Sequence, residues 1–274
     1  MIRKITTSRY YSDIVKDNNK QITELFSVLA DQKSKDTLRG ILSAYKTVLR
    51  KPGFFFTRIA DGECNQFHFT AHDGYRVCGT DNPYFLNDIF TLDKETVYLD
   101  GGAYIGDTVE LLLRVLNGPC KCIYAFEPNR ELYSRMEARL KKYGSFIRCI
   151  NAGLDNHEGQ VSFLEADSGS KISPDGNQTI QVIDIKKFLN EVNDNLPTFI
   201  KLDIEGKEKD VLGAMDEFIA QKHPDLAISV YHSLDDLWEI PLLLHRLNPN
   251  YKIYLRHQSN YFTETVCYAT QQLI

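Results

Sequence analysis

One string, Val97 to Thr108, limits what this chain can fold into more than any other. It reads Val-Tyr-Leu-Asp-Gly-Gly-Ala-Tyr-Ile-Gly-Asp-Thr. A short apolar run ends in Asp100, a glycine-rich turn follows, and Asp107-Thr108-Val109-Glu110 opens a helix. A strand that turns tightly into a helix directs backbone N–H groups and a helix N-terminus at one spot, where an anion can bind. Glycines at Gly101, Gly102 and Gly106 allow a close approach that a Cβ would block. Glycines used only for packing would present the same string. Asp107 and Glu110 form a candidate capping box for the helix.

Beyond Glu95 the pattern alternates. Strands are predicted at Val97–Asp100, Cys122–Phe126, Phe146–Asn151, Phe199–Asp203 and Leu226–Tyr231. Helices are predicted after Asp107, around Leu132–Leu140, at Ile185–Val192 with Asp184 as its cap, at Lys207–Ile219 and around Leu234–Leu247. Gln160–Leu164 and Ile180–Ile183 read as a hairpin, and Tyr251–Leu255 with Thr265–Thr270 as a closing antiparallel pair. Strand–helix alternation implies an α/β fold with a mostly parallel sheet covered on both faces. Residues 1–93 read as a separate, mainly helical extension that caps the substrate, and 94–274 as the nucleotide-binding domain. In the extension, Ile22, Leu25, Phe26 and Leu29 recur at helical spacing, as do Leu38, Ile41, Leu42, Tyr45 and Leu49. Lys51-Pro52-Gly53 should stop the second helix, and Phe54-Phe55-Phe56 and Val77-Cys78-Gly79 flank the turn Asp61-Gly62-Glu63.

In such sheets a ligand lies at the carboxyl ends of the strands. Glu127 ends the second strand, 21 residues past Gly106, and offers two acceptor oxygens to a ribose. The turn is spaced D-x-G-x-x-x-G rather than the dinucleotide G-x-G-x-x-G, with Tyr104 where a glycine would stand. Asp100 would repel a pyrophosphate and attract the ammonium of a methionine moiety. Asp100, Gly101, Gly102, Ala103, Tyr104, Gly106, Asp107, Thr108, Glu127, Pro128, Asn151 and Ala152 are therefore candidate cofactor-binding residues. Asn151 and Ala152 fall where an adenine edge would lie.

Four segments together resemble the FkbM-type methyltransferases: Val97–Thr108, Phe126-Glu127-Pro128, Ile200-Lys201-Leu202-Asp203-Ile204-Glu205-Gly206, and Tyr231-His232 followed by Asp235-Asp236-Leu237-Trp238. The resemblance covers roughly Tyr84 to the C-terminus. It implies a class I, Rossmann-like seven-stranded sheet with an antiparallel last strand. It also implies S-adenosyl-L-methionine as cofactor and, for most members, O-methylation. Asp203 is then a candidate for both cofactor and catalytic duty, with Glu205 and His232 as further catalytic candidates. Removing a hydroxyl proton suits a histidine or a carboxylate. Lys201 is placed to counter the acids. Asp203, Glu205 and His232 could also bind a divalent metal, which nothing in the spacing demands. Glu208 reads as an acid favouring its helix dipole. Tyr84, Phe85, Tyr104 and Trp238 are candidates for the acceptor wall or for the core. His68 and His72 have metal-like spacing but read as structural or exposed.

Composition bounds the partners. A net charge of −5 lacks the basic footprint of nucleic-acid binding, so the expected acceptor is a hydroxyl on a small molecule or saccharide. No apolar run reaches membrane-spanning length, and Met1 to Thr7 lacks a signal-peptide core. Six cysteines with no C-x-x-C pair fit a reduced, cytoplasmic chain. A homo-oligomer is compatible with the sequence and not required by it. Two other readings use the same acids: an NAD-dependent oxidoreductase, weakened by the missing fingerprint, and a non-catalytic nucleoside-binding subunit.

Overall fold

The computed structural model describes residues 15–49, 82–164, 171–172, 178–258 and 263–272. Met1–Thr7, Lys51-Pro52-Gly53, Phe54-Phe55-Phe56, Asp61-Gly62-Glu63, His68, His72 and Val77-Cys78-Gly79 lie outside them.

Seven strands form the main sheet: β1 (Val97–Gly101), β2 (Cys122–Phe126), β3 (Ile147–Ile150), β8 (Phe199–Leu202), β9 (Asp225–Ser229), β10 (Lys252–His257) and β11 (Thr265–Thr270). Their spatial order is β10-β11-β9-β8-β1-β2-β3. All neighbours run parallel except β11, which lies antiparallel between β9 and β10. Every residue of β1, β2 and β8 is buried, as expected for strands covered on both faces. The order reverses between β1 and β8: the chain builds outward from β1 through β2 to β3, then returns to β1's other side. Their carboxyl ends flank the crevice where open α/β sheets bind ligands.

Helix α3 (Asp107–Val115) buries Val109, Leu112 and Leu113, the face its apolar spacing predicts. Helix α4 (Arg130–Leu140) starts under the Asn129 side chain, which accepts the N–H groups of Glu131 and Leu132. Asp184 caps α5 (Ile185–Glu191) through Lys186 and Lys187, as its position suggested.

Three features depart from the sequence reading. The expected hairpin, β5 (Gly159–Leu164) with β7 (Gln178–Asp184), belongs to a second four-stranded sheet ordered β4-β7-β5-β6. In it β4 (Gly153–Asp155) pairs parallel with β7, and β6 (Lys171–Ile172) closes the far edge. The helix expected at Lys207–Ile219 is two helices, α6 (Glu208–Ala214) and α7 (Asp216–Lys222). Met215 leaves helical geometry at φ −96° and ψ 13° and buries its side chain between them. The capping box is absent. No side chain caps α3, because its N-cap is Gly106 at φ +79°, and Glu110 turns away to Arg139 at 2.6 Å and Lys142 at 3.0 Å. Arg139 above all holds the Glu110 carboxyl down at about 2.

The amino-terminal helices share the main core. From α1 (Asn19–Val28) and α2 (Gln32–Leu49), Ile22, Leu25, Leu38 and Ile41 pack in one cluster with β10 and α8 (Asp236–Leu247). Leu29 forms a parallel bridge to Ile253, and the Ala30 N–H donates to the Ile253 carbonyl at 2.8 Å. Arg256, 1% exposed, reaches back to Asp31 at 2.7 Å and Ser34 at 2.9 Å. Phe85 and Trp238 are wholly buried in the core. No helix among the described residues is long and apolar enough to cross a membrane.

Candidate functional site

The glycine turn is held by the protein itself. The Gly102 and Ala103 N–H groups both donate to the Phe126 carbonyl, at 3.1 and 2.9 Å. Gly106 donates to Ala103 at 2.7 Å, and the Tyr104 N–H donates to Glu127 Oε2 at 3.0 Å. These amides are therefore committed within the chain, and the uncapped N-terminus of α3 is what remains to face an anion. Gly102, at φ +76°, is required by its own backbone neighbour: a Cβ there would lie 1.9 Å from the Asp203 carbonyl oxygen. At Gly106 a Cβ would meet Leu140 at 2.8 Å. Gly101 is buried at the end of β1, Asp107 is exposed and Thr108 half-buried. Tyr104, at φ +49°, is 51% exposed.

Glu127 sits at the end of β2, 6% exposed. Its Oε1 accepts the Asn129 N–H at 2.8 Å while Oε2 accepts Tyr104. Burial pushes its carboxyl up to about 7 against these two bonds. Each oxygen keeps a lone pair for a hydroxyl donor. Asn151 braces this corner from β3's end, donating to the Glu127 carbonyl at 2.9 Å and to Pro128 at 3.2 Å. Ala152 is buried beside it.

Asp100 is wholly buried and its cation comes from within. Asp100 and Lys201 are register partners on β1 and β8, so their side chains leave the same face. Lys201 Nζ lies 3.0 Å from Asp100 Oδ1 and donates to the Gly101 and Gly102 carbonyls at 3.1 and 2.7 Å. Lys201 thus ties the first strand-end acid to the glycine turn. Burial raises the Asp100 carboxyl, with Lys201 working against it.

One residue past β8, Asp203 receives two phenols. Tyr84 donates to Oδ2 at 3.0 Å and Tyr231 to Oδ1 at 2.9 Å. Burial would raise this carboxyl, but Lys201, His232 and the two tyrosines outweigh it and hold it low. His232 Nε2 stands 3.4 Å from Asp203 Oδ1 and 3.7 Å from Glu205 Oε2. Its Nδ1 is 3.1 Å from Glu208 Oε1, which also accepts the Ile204 N–H at 2.8 Å. Burial opposes a charge on this imidazole, yet Glu208, Asp203 and Glu205 carry it up to about 9. Glu205, at φ +57°, turns toward the opening with its side chain 44% exposed, and burial raises its carboxyl.

The three catalytic candidates therefore meet. Glu208 joins them, buried to 1% exposure rather than lying on a solvated helix turn. Two further participants were given no role by the sequence. Tyr231 proves to be an Asp203 ligand, and Glu264, raised by burial and then by Asp203, lies close enough to feel the cluster. Asp203, Glu208 and His232 each offer a ligand atom within 4.8 Å of the others.

Residues 100–252 match the family model described as Methyltransferase FkbM domain. A hexuronic acid methyltransferase, AglP, from Haloferax volcanii is 26% identical over 127 residues, 45% of this chain and 51% of that protein. The chain thus aligns with about half the length of this curated relative. Methyltransferase FkbM from Methylobacillus flagellatus superposes with a TM-score of 0.69 at 24% identity, over 95% of this chain and 60% of that one. At that identity the likeness shows the shared fold.

Proposed function

The chain belongs to the FkbM methyltransferase family, and we propose that it transfers a methyl group from S-adenosyl-L-methionine to a hydroxyl of a small molecule or saccharide. The observation that carries this reading is the pairing of strand ends at the topological switch. Glu127 is pinned by two backbone amides with lone pairs to spare, and Asp203 is held anionic across the crevice. A ribose diol suits the first and a sulfonium or ammonium suits the second. The family match favours methyl transfer over the oxidoreductase alternative, and the saccharide acceptor is suggested by the hexuronic acid relative.

The transfer is an in-line displacement: the acceptor oxygen gains the methyl carbon, the sulfur keeps the bonding pair, and the hydroxyl proton must leave. The donor is already activated, so orientation and proton removal are the protein's share. Asp203, positioned by Tyr84 and Tyr231, faces the cation. His232 carries a proton in the ligand-free chain and is not a ready base. Glu205, raised by burial and aimed at the opening, is the better proton acceptor. Lys201 keeps the glycine turn closed against β8, and Tyr104 covers the cofactor side. Residues 1–93 would contribute to the acceptor wall through the segment that carries Tyr84.

Titration calorimetry with S-adenosylhomocysteine tests the cofactor assignment. Binding that weakens at least tenfold in Glu127→Gln is expected, and no binding to the intact chain would refute the reading. Methyl-labelled donor offered with saccharide pools, followed by mass spectrometry of the products, identifies the acceptor.

A further inference from the structure

We propose that Asp203, Glu208 and His232 form a binding site for a divalent cation beside the acceptor position, an inference that rests on the methyl-transfer reading above.

The three residues come from three separate places: the end of β8, the first turn of α6 and the segment after β9. They nonetheless converge, with one ligand atom of each within 4.8 Å of the others. A divalent ion bonded at about 2.0–2.6 Å needs its ligand atoms within roughly 3–5 Å of one another. The set is two carboxylates and one imidazole, a mixed O/N environment suited to manganese, iron or zinc.

A second observation is independent of that spacing. Glu208 is 1% exposed, and its Oε2 has no hydrogen-bond partner among the described residues. The His232 side chain is 9% exposed, and neither ring nitrogen makes a hydrogen bond of good geometry. Buried polar atoms are rarely left this way, because an unmatched one has lost its water without a replacement. An ion bound by Glu208 and one ring nitrogen of His232 would relieve part of this deficit.

Charge points in the same direction. Asp203, Glu205 and Glu208 bring three carboxylates to one imidazole, at 3.4, 3.7 and 3.1 Å. The ring nitrogen of His232 that binds the ion must be unprotonated, so the ion takes the place of a proton there. Lys201, the nearby ammonium, is bound to Asp100 and the glycine turn. The remaining excess calls for a cation. Open positions on the ion would hold the acceptor hydroxyl with a neighbouring oxygen, as in a vicinal diol, and ease loss of its proton.

The test uses the full chain and Mn2+ alone, followed by the loss of the free-ion electron paramagnetic resonance signal. One Mn2+ per chain is expected, with spin-echo modulation from a directly bound imidazole nitrogen. In His232→Asn that modulation disappears, and in Glu208→Gln affinity falls at least tenfold. S-adenosylhomocysteine titrations of the same variants report whether the chain is folded and whether the cofactor reading stands. Glu205→Gln provides a second, partly exposed position should Glu208→Gln fail to fold, with an expected affinity loss of about threefold. Absence of Mn2+ binding below millimolar concentration in a chain that binds S-adenosylhomocysteine overturns the proposal alone. Binding that is indifferent to both His232→Asn and Glu208→Gln overturns it equally.

Discussion

Replacing Lys201 by methionine should be among the most damaging single changes in the sheet. The methionine has nearly the same length and no charge, so packing is kept and electrostatics alone are lost. Lys201 is 2% exposed and Asp100 fully buried, with 3.0 Å between Nζ and Oδ1. Removing one member of a buried pair leaves the other charge without compensation, a cost of about 3–5 kcal/mol. Two carbonyls of the glycine turn lose their donor as well. For a chain of this size that corresponds to a fall in Tm of roughly 6–20 °C. The penalty should depend on pH. Without the ammonium, the buried Asp100 carboxyl in the folded state rises further above its unfolded value. The folded variant then binds a proton more tightly than the unfolded chain, so the defect is smallest at about pH 4 and grows as pH rises toward the folded pKa. Urea denaturation of Lys201→Met, Asp100→Asn and the double variant measures this directly. The double variant should recover at least half of the loss, since no isolated charge remains. A cost below ~1 kcal/mol for Lys201→Met, or a double variant no better than the single one, would refute the buried-pair account.

Gly102→Ala should drive the β8 loop away from the turn, because its Cβ would start 1.9 Å from the Asp203 carbonyl at a φ of +76°. Calorimetry should then show at least tenfold weaker binding of S-adenosylhomocysteine, and undiminished affinity would contradict the close approach. Glu127 gives a stability signature of its own. Its carboxyl stands at about 7 against an ordinary 4.5, so the folded chain loses ~3 kcal/mol from this group as pH rises from 4.5 through 7. Denaturant midpoints of Glu127→Gln should lack that part of the slope. Arg256→Met should free α1 and α2 from β10, seen as faster hydrogen exchange across Asn19–Val28 with cofactor affinity little altered.

Much of this arrangement could be read before any coordinates. Strands β1, β2 and β8 were legible because apolar runs end abruptly in an acid or glycine, and β11 because its residues alternate. Asp184 acted as the cap it appeared to be because its neighbours offered no competing partner. Glu110 did not, because α3 begins at Asp107 after a glycine N-cap, and Arg139 on α4 takes the carboxylate instead. β4 spans three residues and carries no periodicity to detect. The Lys201–Asp100 pair becomes visible only once β1 and β8 are neighbours in register. Tyr84 and Asp203 are 119 residues apart, so the phenol's role depends wholly on tertiary packing. Glu208 was misjudged for a related reason. A first-turn acid is usually solvated, and here the loop after β8 folds over it and brings His232 alongside.

The bridge from Leu29 to Ile253 has a bearing on how this protein can be handled. β10 is the last strand of its sheet, and an open border strand invites pairing with another chain. Residues 15–49 shield that border: one backbone bridge interrupts it, α2 lies along it, and the buried guanidinium of Arg256 locks this segment down. A fragment trimmed to begin at residue 94 would lose Tyr84 from the crevice and bare a six-residue strand beside the apolar seat of Ile22, Leu25 and Leu38. Such a fragment should aggregate through that flank.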